Sequence, residues 1–167
     1  VILAGMCTLI GTSTNLIVNS LLVKAAPDSG LGLFSLIWIG LPLTVIQLVG
    51  RDPEMIARGV VMADAAGADI IDLNFGCPAK EVSGRACGSA LMRELDHACR
   101  VLDAAVGATS RPVTLKMRLG WDDATRNAPE LAQKAEAIGI AAVTVHGRTR
   151  QQFYKGEARW ELVRPVV

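Results

Sequence analysis

The sequence predicts an α/β fold on a parallel sheet, and among such folds a (β/α)8 TIM barrel. Three observations carry that expectation. From residue 43 onward, apolar β-branched runs alternate with helical stretches. This is the order of a parallel sheet with right-handed crossovers. The unit also repeats: "ADAAGADIIDLNFG" (63–76) aligns without gaps to "AEAIGIAAVTVHGR" (135–148), with Asn74 and His146 at the same place. Finally, alternation of side chains along each run puts Gln47, Asn74, Lys116 and His146 on one face, near the carboxyl ends of four successive strands. In an open doubly wound sheet both faces carry helices, and burying such a polar row is costly. A barrel turns one face toward its axis and builds its sites at the carboxyl end, so the row favours a barrel.

The elements follow in order. "LTVIQLVG" is a short apolar, β-branched run and reads as a buried strand. In "RDPEMIARGVVMADAAG", Asp52 suits an N-cap, Pro53 the first helical position and Gly67 the stop. "ADIIDLNFG" is the second strand. "GSALMRELDHACRVLDAAVGA" reads as one helix with Leu91, Leu95, Ala98, Leu102 and Ala105 on one face. "RPVTLKMRLG" is a strand with Val113, Leu115 and Met117 on one side and Thr114, Lys116 and Arg118 on the other. "NAPELAQKAEAIG" is a helix with Asn127 as N-cap and Gly139 at its end. "IAAVTVHGRTR" is the last strand, with Thr144, His146 and Arg148 on one side.

The chain has 167 residues, enough for one domain with a real core. It does not begin with Met and stops abruptly after "VRPVV", so a piece of a longer protein is expected. Its 17 basic and 16 acidic residues give no global electrostatic case for a nucleic-acid partner. The local cue is residues 148–164, where Arg148, Arg150, Lys155, Arg159 and Arg164 gather with Phe153, Tyr154 and Trp160; ordinary surface charge is the simpler reading. Cys7, Cys77, Cys87 and Cys99 show no CxxC spacing and only two His are present, so no metal site is expected. No signal peptide is visible, and reduced cysteines in a cytoplasmic setting fit best. Residues 31–50 carry no charge, a length that spans a bilayer. Pro42, the glycines, Gln47 and flanks without clustered Lys or Arg favour buried strands instead.

Cys77 stands apart from the other cysteines. A free Cys is most often a small buried hydrophobe, and that reading suits Cys7, Cys87 and Cys99. Cys77 sits between Gly76 and Pro78, just past Asn74, at the rim of the polar strand ends. A thiol there can give or take a proton. Lys116 lies in a strand that otherwise looks buried, and an interior Lys needs an anion or an electron-rich ring to face. His97, Asp64, Glu94 and Asp103 read as solvated helix groups.

With these residues placed, "IIDLNFGCPAKEVSGRACGSALMRE", "VTLKMRLGWDD" and "VTVHGRTRQQFYKGEARW" resemble the tRNA-dihydrouridine synthases, as does "VIQLVGRDPE". The match runs from about Leu43 to Trp160. The resemblance implies a barrel with a C-terminal helical domain, FMN as cofactor, NADPH as reductant and tRNA as partner. Hydride would pass to C6 of a uracil ring, and Cys77 would protonate C5. Gln47, Lys116 and His146 would contact FMN, together with Ala4, Gly5 and Met6 backbone-first. Asn74 and Arg148 would lie near the uracil. The resemblance also marks departures: residues 7–42 do not follow the family pattern, and the chain ends at about the sixth strand, making it a partial barrel over 1–167 with 1–42 atypical. The alternatives are another FMN barrel acting on free pyrimidines, of the dihydroorotate or dihydropyrimidine dehydrogenase kind, a truncated non-catalytic chain, and a membrane-attached protein.

Overall fold

The computed structural model of the chain describes residues 44–79, 83–84 and 86–166. The expectations for Ala4, Gly5, Met6 and the rest of residues 1–43 lie outside the described residues. So does most of the uncharged stretch 31–50. Its end, Val45–Leu48, is a strand, and among the described residues no helix is long and apolar enough to cross a membrane.

The described elements alternate as the periodicity predicts. They are β1 (Val45–Leu48), α1 (Pro53–Ala65), β2 (Ile70–Phe75), a 3-10 stretch (Gly88–Arg93), α2 (Leu95–Gly107), β3 (Val113–Arg118), α3 (Ala128–Ile138), β4 (Ala142–His146) and two terminal 3-10 turns, Trp160–Leu162 and Arg164–Val166. The strands lie in the order β1-β2-β3-β4, and β2–β3 and β3–β4 are parallel. Ile71, Leu73 and Phe75 of β2 and Val113, Leu115 and Met117 of β3 form one core with Val60, Leu102, Leu131 and other helix residues. Strands in sequential order, with α1, α2 and α3 packed on one face, make a singly wound sheet that leaves the other face for polar groups.

Local chemistry sets the ends of these elements. The Asp52 carboxylate accepts from the amides of Glu54 and Met55, and Pro53 occupies the first turn. Gly139 closes α3 at φ 107. Gly120, past β3, runs so close to the next turn that a Cβ would lie 2.1 Å from the Thr125 carbonyl oxygen.

Two expectations need correction. The single helix over 88–108 is broken at Glu94 (φ -136, ψ 71), with a 3-10 stretch before it. The Met92 carbonyl accepts from Asn127 Nδ2 at 2.6 Å, and Ser89 is tied to the Cys77 carbonyl. These long-range bonds hold the first turn out of register with α2. For the same reason Asn127, at the start of α3, makes no side-chain cap.

Leu115 is fully buried under the helices. Leu115→Ala is expected to lower stability by roughly 2–5 kcal/mol, read from urea unfolding.

Candidate functional site

In a parallel pair, partnered residues point to the same side of the sheet. Asn74, Lys116 and Thr144 are partners across β2, β3 and β4, and Arg118 partners His146 one step further on. The expected polar row is therefore present. Along β2, half-buried Asp72 and Asn74 alternate with buried Leu73 and Phe75.

A chain of hydrogen bonds crosses this face and ends at the cysteine turn. Thr114 Oγ1 donates to Asp72 Oδ1 at 2.6 Å. Gln47 Nε2 donates to Asp72 Oδ2 at 2.5 Å, and Gln47 Oε1 accepts from Asn74 Nδ2 at 3.0 Å. Asn74 Oδ1 then accepts the backbone N–H groups of Gly76 and Cys77, at 2.9 and 3.0 Å. Because Asp72 only accepts when ionised, the orientation of both amides follows along the chain. From the far side, Ser89 N and Oγ donate to the Cys77 carbonyl at 3.1 and 2.8 Å, and Ser89 is fully buried. The backbone of Cys77 is thus held at both ends, while its thiol is free and partly exposed. Asn74, expected to touch a ligand, spends its carboxamide oxygen on the turn and one N–H on Gln47, and Gln47, expected likewise, bonds the side chains of Asp72 and Asn74.

The rest of the face is cationic. Lys116 is half-buried and has no carboxylate partner among the described residues. Burial, then the charges of Arg118, Lys116 and Arg148, push the His146 imidazole below its ordinary value, and its Nδ1 is buried without a partner among the described residues. Asp72, the carboxylate of this face, is occupied by Gln47 and Thr114. Buried Arg118, half-buried Lys116 and a neutral imidazole, with no unoccupied counter-anion beside them among the described residues, fit an electron-rich, negatively charged group, and FMN is such a group.

Arg148 departs from expectation. β4 ends at His146, so Arg148 is not part of the strand row; its Nη2 donates to the Gly156 carbonyl at 2.7 Å. His97 also departs: it is half-buried, with Nε2 2.9 Å from the Arg51 carbonyl. Asp64 and Glu94 are bound to Arg111 and Arg51.

Three features were missed from sequence. Arg118 is 3% exposed and bridges loops through backbone carbonyls. Ser89 anchors the cysteine turn. Trp121 is stacked between Arg93 and Arg150, 4.9 and 4.8 Å from the ring centroid. Arg118 had a signal, since alternation put it on the polar face with no acid beside it. The other two join segments far apart in sequence, and periodicity carries no trace of that.

A family profile described as Dihydrouridine synthase (Dus) matches residues 40–167. A "Probable tRNA-dihydrouridine synthase" of Rhizobium leguminosarum bv. phaseoli is 55% identical over 122 residues, 73% of this chain and 38% of that protein. One of the same name from Rickettsia prowazekii (strain Madrid E) is 55% identical over 121 residues, 72% of this chain and 37% of its own. The "tRNA-dihydrouridine synthase B" of Proteus vulgaris is 48% identical over 122 residues, 72% of this chain and 38% of its own. The chain spans a little over a third of the length of these relatives.

Removing the Asn74 carboxamide leaves the amides of Gly76 and Cys77 without their acceptor. Asn74→Ala is expected to lower stability by about 1–3 kcal/mol, read from urea unfolding. His146 titrates lower in the folded chain than its ordinary 6.5. Above that ordinary value its contribution is fully present. As pH falls from there through the folded value, the unfolded chain binds the proton first and stability is lost. His146→Gln should flatten the fall in the denaturant midpoint over that window.

Proposed function

The chain belongs to the dihydrouridine synthase family, and from that premise we propose that it carries the reaction face of a flavin-dependent tRNA-dihydrouridine synthase. The observation that carries this reading is the Cys77 turn, fixed between Asn74 and Ser89 beside the cationic strand ends. The four-stranded singly wound sheet supports a sector of a (β/α)8 barrel, with about six strands in this chain.

In this reading Lys116 and His146 hold FMN, and the positive charge of Lys116 with the hydrogen-bonding nitrogens of the neutral His146 ring favours a negative charge on the flavin ring. Bound FMN, reloaded by NADPH, supplies the hydride for C6 of a uracil base. Cys77 holds the proton for C5 on its Sγ, at the rim where a base can enter. Asn74 and Gln47 keep that thiol in place, with Asn74 retaining one amide hydrogen for the base. Arg148 lies at the same mouth.

The partner is tRNA. Exposed Tyr154 and Trp160, and the Arg93–Trp121–Arg150 stack, supply the aromatic and cationic groups that RNA contacts use. A tRNA substrate suits a cytoplasmic setting.

Cys77→Ala in the full-length protein is expected to retain flavin but to lose dihydrouridine formation by roughly 10²-fold or more, the usual weight of a general acid. The measurement is dihydrouridine in tRNA by mass spectrometry after single turnover. Turnover like that of the unmodified protein would remove Cys77 from the role. Lys116→Met is expected to raise the Kd for FMN, measured by fluorescence quenching.

A further inference from the structure

Arg118 is a buried cation, 3% exposed, with no acid beside it among the described residues. A guanidinium out of water is costly unless every donor is aimed at something. Here the Nε and Nη1 donors are aimed at backbone oxygens of two different loops. Nε donates to the Gly76 carbonyl at 2.8 Å, in the turn that carries Cys77. Nη1 donates to the carbonyls of Thr149 at 3.0 Å and Phe153 at 2.9 Å, in the loop after β4. The guanidinium carbon sits 5.6 Å from the centre of the Tyr154 ring.

The far loop carries a second, independent sign of constraint. Phe153 has φ 55, a left-handed backbone that a side-chain-bearing residue adopts only when its surroundings hold it there. Arg118 holds its carbonyl. Three backbone bonds stitch the same loop to the segment after β3: Leu119 N to Arg148 O, Arg150 N to Gly120 O and Gln151 N to Trp121 O. Only the rigid planar fork of an arginine reaches from that stitched pair across to Gly76; a lysine carries the charge without the fork.

We propose that Arg118 is a positioning residue that locks the Cys77 turn to the 149–153 loop, so that the thiol and the basic, aromatic loop at the mouth move as one unit. The functional consequence rests on the reading of Cys77 as proton donor: a base drawn in by the loop meets a thiol already in register with it. The lock itself stands on geometry alone.

The test is amide hydrogen exchange on the full-length protein and on Arg118→Ala, read residue by residue. The amides of Gly76, Cys77 and Phe153 are expected to exchange about tenfold faster together, while Leu73 and Leu115 in the core keep their protection. Added guanidinium ion, below denaturing concentration, is expected to restore protection in both segments at once. Faster exchange in one segment alone, or in neither, overturns the lock. Should Arg118→Ala not fold, Arg118→Lys takes its place, with both segments expected to loosen by a common smaller factor; an unchanged profile there overturns it. In turnover, Arg118→Lys is expected to lose on the order of 10²-fold in kcat with KM for tRNA within about twofold. A raised KM at unchanged kcat overturns positioning in favour of direct substrate contact. Paired loss of protection in a protein that forms no dihydrouridine supports the lock and overturns the proposed reaction instead.

Discussion

Two backbone amides, those of Gly76 and Cys77, share one acceptor: the carboxamide oxygen of Asn74. The placement of the thiol depends on that sharing. Asn74 can serve both only because its own NH2 points away to Gln47, and Gln47 is turned by Asp72. The chain runs β3 to β2 to β1 and back to the β2 loop, so the parallel register is a precondition. A slip of one residue in β2 would turn Asp72 and Asn74 into the core and Leu73 out of it. The apolar packing of Ile71, Leu73 and Phe75 under α1 and α2 therefore fixes a polar geometry on the opposite side of the same strand.

That face is electrostatically one-sided. Burial, and then the charges of Arg118, Lys116 and Arg148, push the His146 imidazole below its ordinary value. The carboxylate within reach is already taken by Gln47 and Thr114. Such an arrangement is poor for a protein that binds nothing and good for one that receives a negatively charged ring. Stability and function pull apart here, as they commonly do where a site is built in advance of its ligand.

Much of this was legible in the sequence for local reasons. Alternation in "DIIDLNF" and "VTLKMRL" sorts the two faces, and Asp52-Pro53 and Gly139 mark helix ends by chemistry that acts within one turn. What was not legible depends on partners far along the chain. The break at Glu94 comes with a bond from Asn127 to Met92, 35 residues apart, and the role of Arg118 from a bond to Gly76 across 42. Arg148 continues the period-two pattern of β4, but the backbone turns at Gly147, where its amide bond to the His146 carbonyl replaces the ladder. Long-range bonds overrule periodicity at Glu94 and Arg118, and a local turn does so at Arg148.

The central claim is that the strand-end face and the Cys77 turn converge on one reacting base. The most direct test is a crystal structure of the full-length protein with FMN and a tRNA carrying an unreacted uridine. Cys77 Sγ is expected at roughly 3–3.5 Å from C5 of that base, with Lys116 and His146 on the flavin behind it. A base seated away from the thiol, with another acid nearer C5, would contradict it.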